Sequence, residues 1–547
     1  MAVVPPSPAV ADNDEAPKVF PLSSHTPARL SPISVIDIER GIMLPSPPPT
    51  TPKTTSLEER TAVATTQKTK SLSAPTAKLD YLEGLRGIAA WIVVTHHFAY
   101  ENLLFKDTVA DWGEFIGYFA NLFVHGKFAV SLFFVLSGRV LGIGYLKSPS
   151  AQRLASAFLR RPFRLIIPVI GALWVHWFMY RVGAYEPAGT AASYWGNWLG
   201  VRYSIDRIKE NPPSFIGQFL LGLTTFLPRG KLPAFPNDPT WTLGLELQGS
   251  FVVFVLSLVA KSYHHHRYII QVLFILWSFW TQSWNVSFAT GLLLADLAHS
   301  GYFARIRKAS WWIHYPLRII LAFIFIVTVC YFPVISPEIA AYSVRWSLDL
   351  GNAKIGMLPG WNWDMWDPLT YFAAFALLTL MEITPSMQRV FQIPPIRFLG
   401  KVSFGLYLLH MTVYATFGSI MIIALYNPNA AIMPEWLKLT IVYFTTLAVM
   451  IALSYVFHLT FDNWSMTAGF SMHQLLSDPD WSRAKVRTYA IALLKRNSPR
   501  AWMRRVRNKM RPMFNFRRRK QHQEQTPLSP GGQLDVEPID IHIPSRQ

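Results

Sequence analysis

Apolar residues gather in eleven segments, at about 84–104, 126–146, 165–180, 214–227, 241–260, 268–282, 284–300, 317–336, 367–384, 402–426 and 437–461. A bilayer core of roughly 30 Å takes about 20 helical residues, with about 17 as a working minimum. Segment 214–227 is short for that, as are a few of its neighbours. The pattern predicts an all-α polytopic membrane protein, and the polar connections set its count. Connection 147–164 carries five basic residues and no acid, and short basic connections face the cytoplasm. The chain after residue 461 is basic as well. Both termini are therefore expected on the cytoplasmic side, which requires an even number of spans. Setting 214–227 aside as an interfacial or re-entrant piece leaves about ten. The basic connections 261–267, 305–318 and 389–401 then also fall inside.

The flanks read differently. Residues 1–77 are Pro/Ser/Thr-rich, with runs such as Pro47-Pro48-Pro49, and are expected to be a disordered tail that buries too little apolar surface to offset ordering entropy. They show no basic stretch followed by an apolar core of the signal-peptide kind. Residues 78–461 form the membrane domain, 462–522 a basic juxtamembrane tail and 523–547 a second polar tail. Of the formal charge of +19, most belongs to 483–520, where fifteen basic residues stand without an acid. Trp481, Tyr489, Leu493, Leu494 and Trp502 interleave with them, the pattern of a segment lying on anionic lipid rather than on nucleic acid. With 51% hydrophobic and 15% charged residues in 547, the composition excludes a string of soluble domains. The single cysteine, Cys330, excludes an internal disulfide and a multi-cysteine metal site. No metal site is expected.

Ionisable residues inside spans are costly and mark candidate sites. In the first span Arg86 and His97 are eleven residues apart, which puts both on one helix face about 16 Å apart along the axis. Glu83 lies one turn before Arg86, and His96 points about 100° away from His97. Arg160, Arg161 and Arg164 stand at the expected cytoplasmic start of the third span, with Pro162 suited to a first helical turn. A plain positive-inside anchor and a phosphate site both account for them, since guanidinium groups bind phosphate bidentately. Glu246 sits in the outer half of its span, on the face of Thr242 and at a depth comparable to His97, which a carboxylate orients or stabilises when it is near. Ser403, Tyr407 and His410 share a face by their 0, 4, 7 spacing. Ser137 lacks the strained elbow of a hydrolase nucleophile.

Taken in order, these pieces resemble the integral-membrane acyltransferase 3 family, as a fungal-type member with a polar N-terminal and a basic C-terminal tail. Leu82-Glu83-Gly84-Leu85-Arg86-Gly87 with His97 is similar to the family's opening signature, and Phe133-Phe134-Val135-Leu136-Ser137-Gly138 to its second. Arg161-Pro162-Phe163-Arg164 resembles its arginine pair, Thr240-Trp241-Thr242-Leu243 with Glu246 its Trp-Ser-Leu segment, and Ser403-Phe404, Tyr407-Leu408 and His410 its late motif. Departures are Glu83 in place of Asp, Thr242 in place of Ser, Phe404 in place of Tyr, and Arg139 where an apolar residue commonly follows Ser-Gly.

The resemblance implies transfer of an acyl group, often acetyl, from acyl-CoA as co-substrate to a hydroxyl of a carbohydrate, lipid or small metabolite, with no bound cofactor. A neutral imidazole removes a hydroxyl proton near neutral pH, so His97 is expected as general base. Arg86 would fix the donor or the histidine, and Glu246 would orient His97. Arg160, Arg161, Arg164, Trp241, Ser403 and His410 are the candidate substrate-binding residues. The rival class is a non-catalytic transporter or flippase, for which internal repeats and paired broken helices would speak; the sequence shows neither. The expected setting is an endomembrane or the plasma membrane, with lipid, acyl-CoA and a hydroxyl-bearing acceptor as partners and no nucleic acid.

Overall fold

A computed structural model describes residues 80–99, 122–147, 150–195, 198, 212–226, 238–331, 368–427 and 433–478, with a few isolated positions beyond. The two polar tails and nearly all of 483–520 lie outside the described residues. Those described are mostly helical, without a strand among them.

The helices are α1 Asp80–Ala99, α2 Gly126–Leu146, α3 Ala151–Arg181, α4 Glu186–Tyr194, α5 Phe215–Thr224, α6 Trp241–Ser262, α7 Arg267–Trp280 and α8 Asn285–His299. They continue with α9 Tyr302–Lys308, α10 Trp311–Ile326, α11 Pro368–Ile383, α12 Pro385–Val390, α13 Pro394–Val413, α14 Ser419–Tyr426, α15 Glu435–Phe457 and α16 Asn463–Ser477. Each of the eleven apolar segments is helical over most of its described residues. Three π-helical turns, Val327–Tyr331, Tyr414–Gly418 and His458–Asp462, continue α10, join α13 to α14 and join α15 to α16. Six of the resulting rods are long and apolar enough to cross a membrane: α2, α3, α6, α10 with its π turn, α13 through α14, and α15 through α16. The chain is thus a multi-pass membrane protein. Its outward faces carry Ile269, Leu273, Trp277, Trp280, Trp312, Phe323, Trp436 and Phe444, all exposed large apolar side chains of the kind that meets lipid.

Helices in lipid associate through close backbone approach more than through hydrophobic burial, and two contacts of that kind organise the bundle. On α1, Gly84 and Gly87 lie against the backbone of Phe391 and of Leu399-Gly400, while Gly400 lies against the Glu83 carbonyl. On α2, Gly138 meets the Phe288 backbone, Gly142 meets Leu292 and Ala295, and Gly291 of α8 returns the contact to Val135 and Arg139. A Cβ would overlap backbone atoms at each of these positions except Gly142, where it would press on the side chains of Leu292 and Ala295. The glycines of the two opening motifs are there so that two helix pairs can touch.

Side-chain contacts fix the direction of each helix. Arg86 meets Ser403 and His97 meets His410, so α1 and α13 run parallel. Helices α2 and α11 are parallel too, through Ser131 with Thr370 and Arg139 with Glu382. Phe158 stacks on Phe251 at 4.5 Å and Arg161 bonds Ser250, so α3 and α6 are antiparallel. Helix α5, only ten residues or about 15 Å long, folds back along α3. Its Phe215 stacks on Trp174 at 4.7 Å and its Gly222 lies against Ile170.

The glycine contacts admit a direct test. Gly87→Leu and Gly291→Leu should each lower the thermal midpoint of the detergent-solubilised protein, since forcing side-chain volume into a closed contact costs typically about 1–3 kcal/mol or more. Gly144→Leu is the control, because a Cβ there meets nothing within 4 Å. Equal midpoints for all three variants would refute the contact.

Candidate active site

The α1–α13 contact sets a register along which two polar stations form. At the first, Arg86 Nη2 donates to Ser403 Oγ at 3.4 Å, and Ser403 Oγ donates to the Gly400 carbonyl at 2.8 Å. At the second, the His97 ring lies 5.1 Å from that of His410, centroid to centroid. Ser403, Tyr407 and His410 are all buried, Ser403 and His410 against α1 and Tyr407 against Pro239 and Thr242. Arg86 and His97 stand on the same side of α1 but at different stations, about 16 Å apart along the axis. Arg86 therefore does not hold the histidine.

His96 and His97 separate as their 100° offset requires. His96 Nδ1 lies 2.7 Å from the Val124 carbonyl, and its ring packs on Gly126 at the start of α2. A carbonyl only accepts, so that nitrogen carries the proton. His96 is a tie between α1 and α2.

Arg161 is the most heavily engaged cation of the site. Its Nη2 donates to Glu246 Oε1 at 2.6 Å and to Ser137 Oγ at 3.0 Å, and its Nε donates to Ser250 Oγ at 2.8 Å. Ser137 Oγ in turn donates to Glu246 Oε1 at 3.4 Å. One ion pair thus binds α2, α3 and α6 together. This corrects two expectations. Pro162 is not in the first turn of its helix: α3 starts at Ala151, capped by Ser150, which accepts from the Arg153 amide at 3.2 Å. Arg161 lies ten residues in, about 15 Å along the axis. Nor can Arg161 mark the membrane edge while Glu246 sits in the outer half of its span, because the two touch. The 31-residue α3, about 46 Å long, outreaches a bilayer core of about 30 Å. Its first turns run beside α16, with Arg160 against Gly469.

Arg164 and Arg160 are the exposed members of the arginine group. Arg160 Nε donates to the Ser156 carbonyl at 3.1 Å. Arg164 acts electrostatically on Arg86, on Arg161 and on Asp462. Asp462 was not among the candidates. It closes the last π-helical turn, pairs with His458 at 2.7 Å and lies in the field of Arg86 and Arg164. Its i, i+4 spacing from His458 at the end of an apolar run is the signal that marks it.

Behind the histidines, Tyr407 Oη donates to the Pro239 carbonyl at 2.8 Å and lies 2.7 Å from Thr242 Oγ1. Trp241, next to Thr242, has its ring 6.0 Å from that of Trp284 and so faces α8. A second buried ion pair joins Arg139 to Glu382 at 2.7 Å, and the Tyr81 hydroxyl donates to the same carboxylate oxygen at 2.7 Å. The arginine that departs from the common Ser-Gly-apolar pattern thus has its counter-charge in α11. Glu382, an acid inside an apolar run, was the readable sign of it.

Residues 79–455, most of the chain, match the Acyltransferase domain of the acyltransferase 3 family. The chain belongs to this family. A curated relative, the O-acetyltransferase PaAT-1 of Phomopsis amygdali, is 25% identical over 390 residues, covering 62% of this chain and 73% of the relative. No solved structure matches the chain. For this acyltransferase 3 member, the five motifs spread along the sequence converge in the bundle. The glycines bring α1 to α13, Ser137 and Glu246 secure Arg161, and Thr242 secures Tyr407.

The Arg161–Glu246 pair is mostly shielded, with side-chain exposures of 12% and 25%. Removing one partner of a buried pair costs about 3–5 kcal/mol, and partial hydration brings the expectation here to the lower end. Glu246→Ala and Arg161→Ala should each lower the thermal midpoint, and the double variant should lose less than the sum. A coupling energy below about 0.5 kcal/mol in that cycle would mean that the pair does not bind the three helices.

Proposed function

We propose that the protein is a membrane-embedded O-acyltransferase that moves an acyl group, acetyl in the first instance, from acyl-CoA to an acceptor hydroxyl. His97 is its general base. Membership of the family and the O-acetyltransferase relative support the reaction class. The observation that carries the residue assignment is the His97 ring itself: half-buried, on the α1 face turned to α13, with its centroid 5.1 Å from that of a second imidazole, His410. His97 takes the hydroxyl proton as the oxygen attacks the thioester carbonyl. The departing thiolate then receives that proton.

Arg164 and Arg86 hold donor phosphates, because Arg161 already spends its donors on Glu246, Ser137 and Ser250. Arg160 assists at the exposed end of the group. Glu246 supports the base at a distance: one turn away Thr242 holds Tyr407, whose own carbonyl orients His410. Trp241 and Ser403 frame the substrate path on either side.

We read ten crossings, α1, α2, α3, α6, α7, α8, α10, α11, α13 and α15, with both termini cytoplasmic. The antiparallel run of α3 and α6 supports leaving α5 out, since a crossing there would make them parallel. The parallel pairs α1 with α13 and α2 with α11 are first with ninth and second with eighth, as the same count requires. Glycosylation scanning tests this: a site engineered near residue 30 or 530 should stay unmodified, and efficient modification overturns the topology.

For the reaction, purified protein incubated with labelled acetyl-CoA and hydroxyl acceptors should release free coenzyme A. His97→Ala should cut turnover by about 10²–10⁴-fold, the usual range for general-base catalysis. His96→Ala should chiefly lower stability, through the lost tie to Val124. Arg164→Ala should raise KM for acyl-CoA with a smaller fall in kcat, as for a contact already present in the ground state. Equal activity of the His96 and His97 variants would sink the assignment.

A further inference from the structure

His410 is fully buried, and one of its ring nitrogens is already spoken for. Nδ1 lies 2.8 Å from the Tyr407 carbonyl, and because a carbonyl can only accept, Nδ1 carries the proton. Nε2 is then a bare lone pair, and it has no hydrogen-bond partner among the described residues. A buried acceptor without a donor is uncommon and calls for an explanation. The neighbouring polar ring is that of His97, 5.1 Å away and tilted by 34°. A centroid spacing of about 5 Å is what two imidazoles need for an N–H···N hydrogen bond of ~2.9 Å. His410 is held by the Tyr407 carbonyl, and the half-buried His97 ring stands at the spacing that such a bond spans.

We propose that His410 is the positioning residue of the reaction, its Nε2 accepting a hydrogen bond from the ring N–H of His97. The inference rests on His97 being the base. With one nitrogen of His97 held as a donor to His410, the other must present its lone pair to the acceptor hydroxyl. In the step itself the acceptor O–H bond breaks, its proton joins that free nitrogen, and the oxygen forms a bond to the thioester carbonyl carbon. As the carbon–sulfur bond breaks, the thiolate takes the proton back from His97. His410 gains and loses no proton; it fixes the tautomer of His97 and stabilises the imidazolium formed on the way. The order of contacts, Tyr407 carbonyl to His410 to His97, is that of an orienting partner acting through a base.

The test combines kinetics with a readout independent of turnover. His410→Ala should lower kcat by about 10–100-fold, the usual cost of losing an orienting partner, with KM for both substrates little changed. His410→Gln, whose amide can donate to the Tyr407 carbonyl and still offer an oxygen to His97, should recover much of that loss. In a His97→Ala background the His410→Ala change should have no further effect. In ¹⁵N-histidine spectra of the protein in nanodiscs, His97 should hold one tautomer in the wild type and in His410→Gln, and a mixture in His410→Ala. A raised KM for the acceptor at unchanged kcat would make His410 a direct acceptor ligand and overturn the proposal. So would losses that add fully in the double variant, or a His97 tautomer indifferent to residue 410. If instead His97→Ala is fully active while the tautomer responds to residue 410, the pairing stands and the general-base assignment fails.

Discussion

Two helices from opposite ends of the chain lie backbone to backbone. Gly84 and Gly87 of α1 leave room for Phe391, Leu399 and Gly400, and Gly400 leaves room for the carbonyl of Glu83. In lipid there is little hydrophobic gain from bringing two apolar helices together, so such a contact depends on shape and distance. Once made, it permits little sliding. The 11-residue interval between Arg86 and His97 is then read against the 7-residue interval between Ser403 and His410, and Arg86 and His97 each meet a polar residue on α13. Side chains that are costly in a membrane span become partners only because this contact fixes their register.

Charges elsewhere in the bundle follow the same economy. Arg161 and Glu246, and Arg139 and Glu382, are cation–carboxylate pairs in which hydroxyl groups share the remaining hydrogen bonds: Ser137 and Ser250 at the first, Tyr81 at the second. A buried pair of this kind adds little net stability over well-packed apolar residues, but each partner is expensive to leave alone. Its effect is specificity. Helices α2, α3 and α6 have one arrangement in which Arg161 is satisfied, and α1, α2 and α11 have one in which Glu382 is. Arg164 and Arg86, by contrast, share the neighbourhood of Asp462 without a carboxylate bonded to either in the way Glu246 is bonded to Arg161.

The sequence by itself determined the class and the helices, and it put the candidate site residues on their helix faces. Eleven apolar runs became helices because their length and apolarity leave a backbone in lipid no other way to satisfy its hydrogen bonds. Motif residues such as Arg86, His97 and Ser403 were legible because helical periodicity is local, and a face can be counted along one chain. The separation of His96 from His97 came from the same count. Which face meets which helix is a different kind of fact. Only the tertiary structure decided that Glu246 pairs with Arg161, that Arg139 finds Glu382 across 243 positions, and that Asp462, beyond the family's matched residues, joins the arginine group. The start of α3 was misjudged for a related reason. A polar, basic stretch reads as a membrane edge when seen alone, whereas here it is carried as helix beside α16, and its Arg161 is paired with a carboxylate from another helix. Spacing along one helix is set by the covalent chain; partners across the bundle are set by packing, and packing is not local.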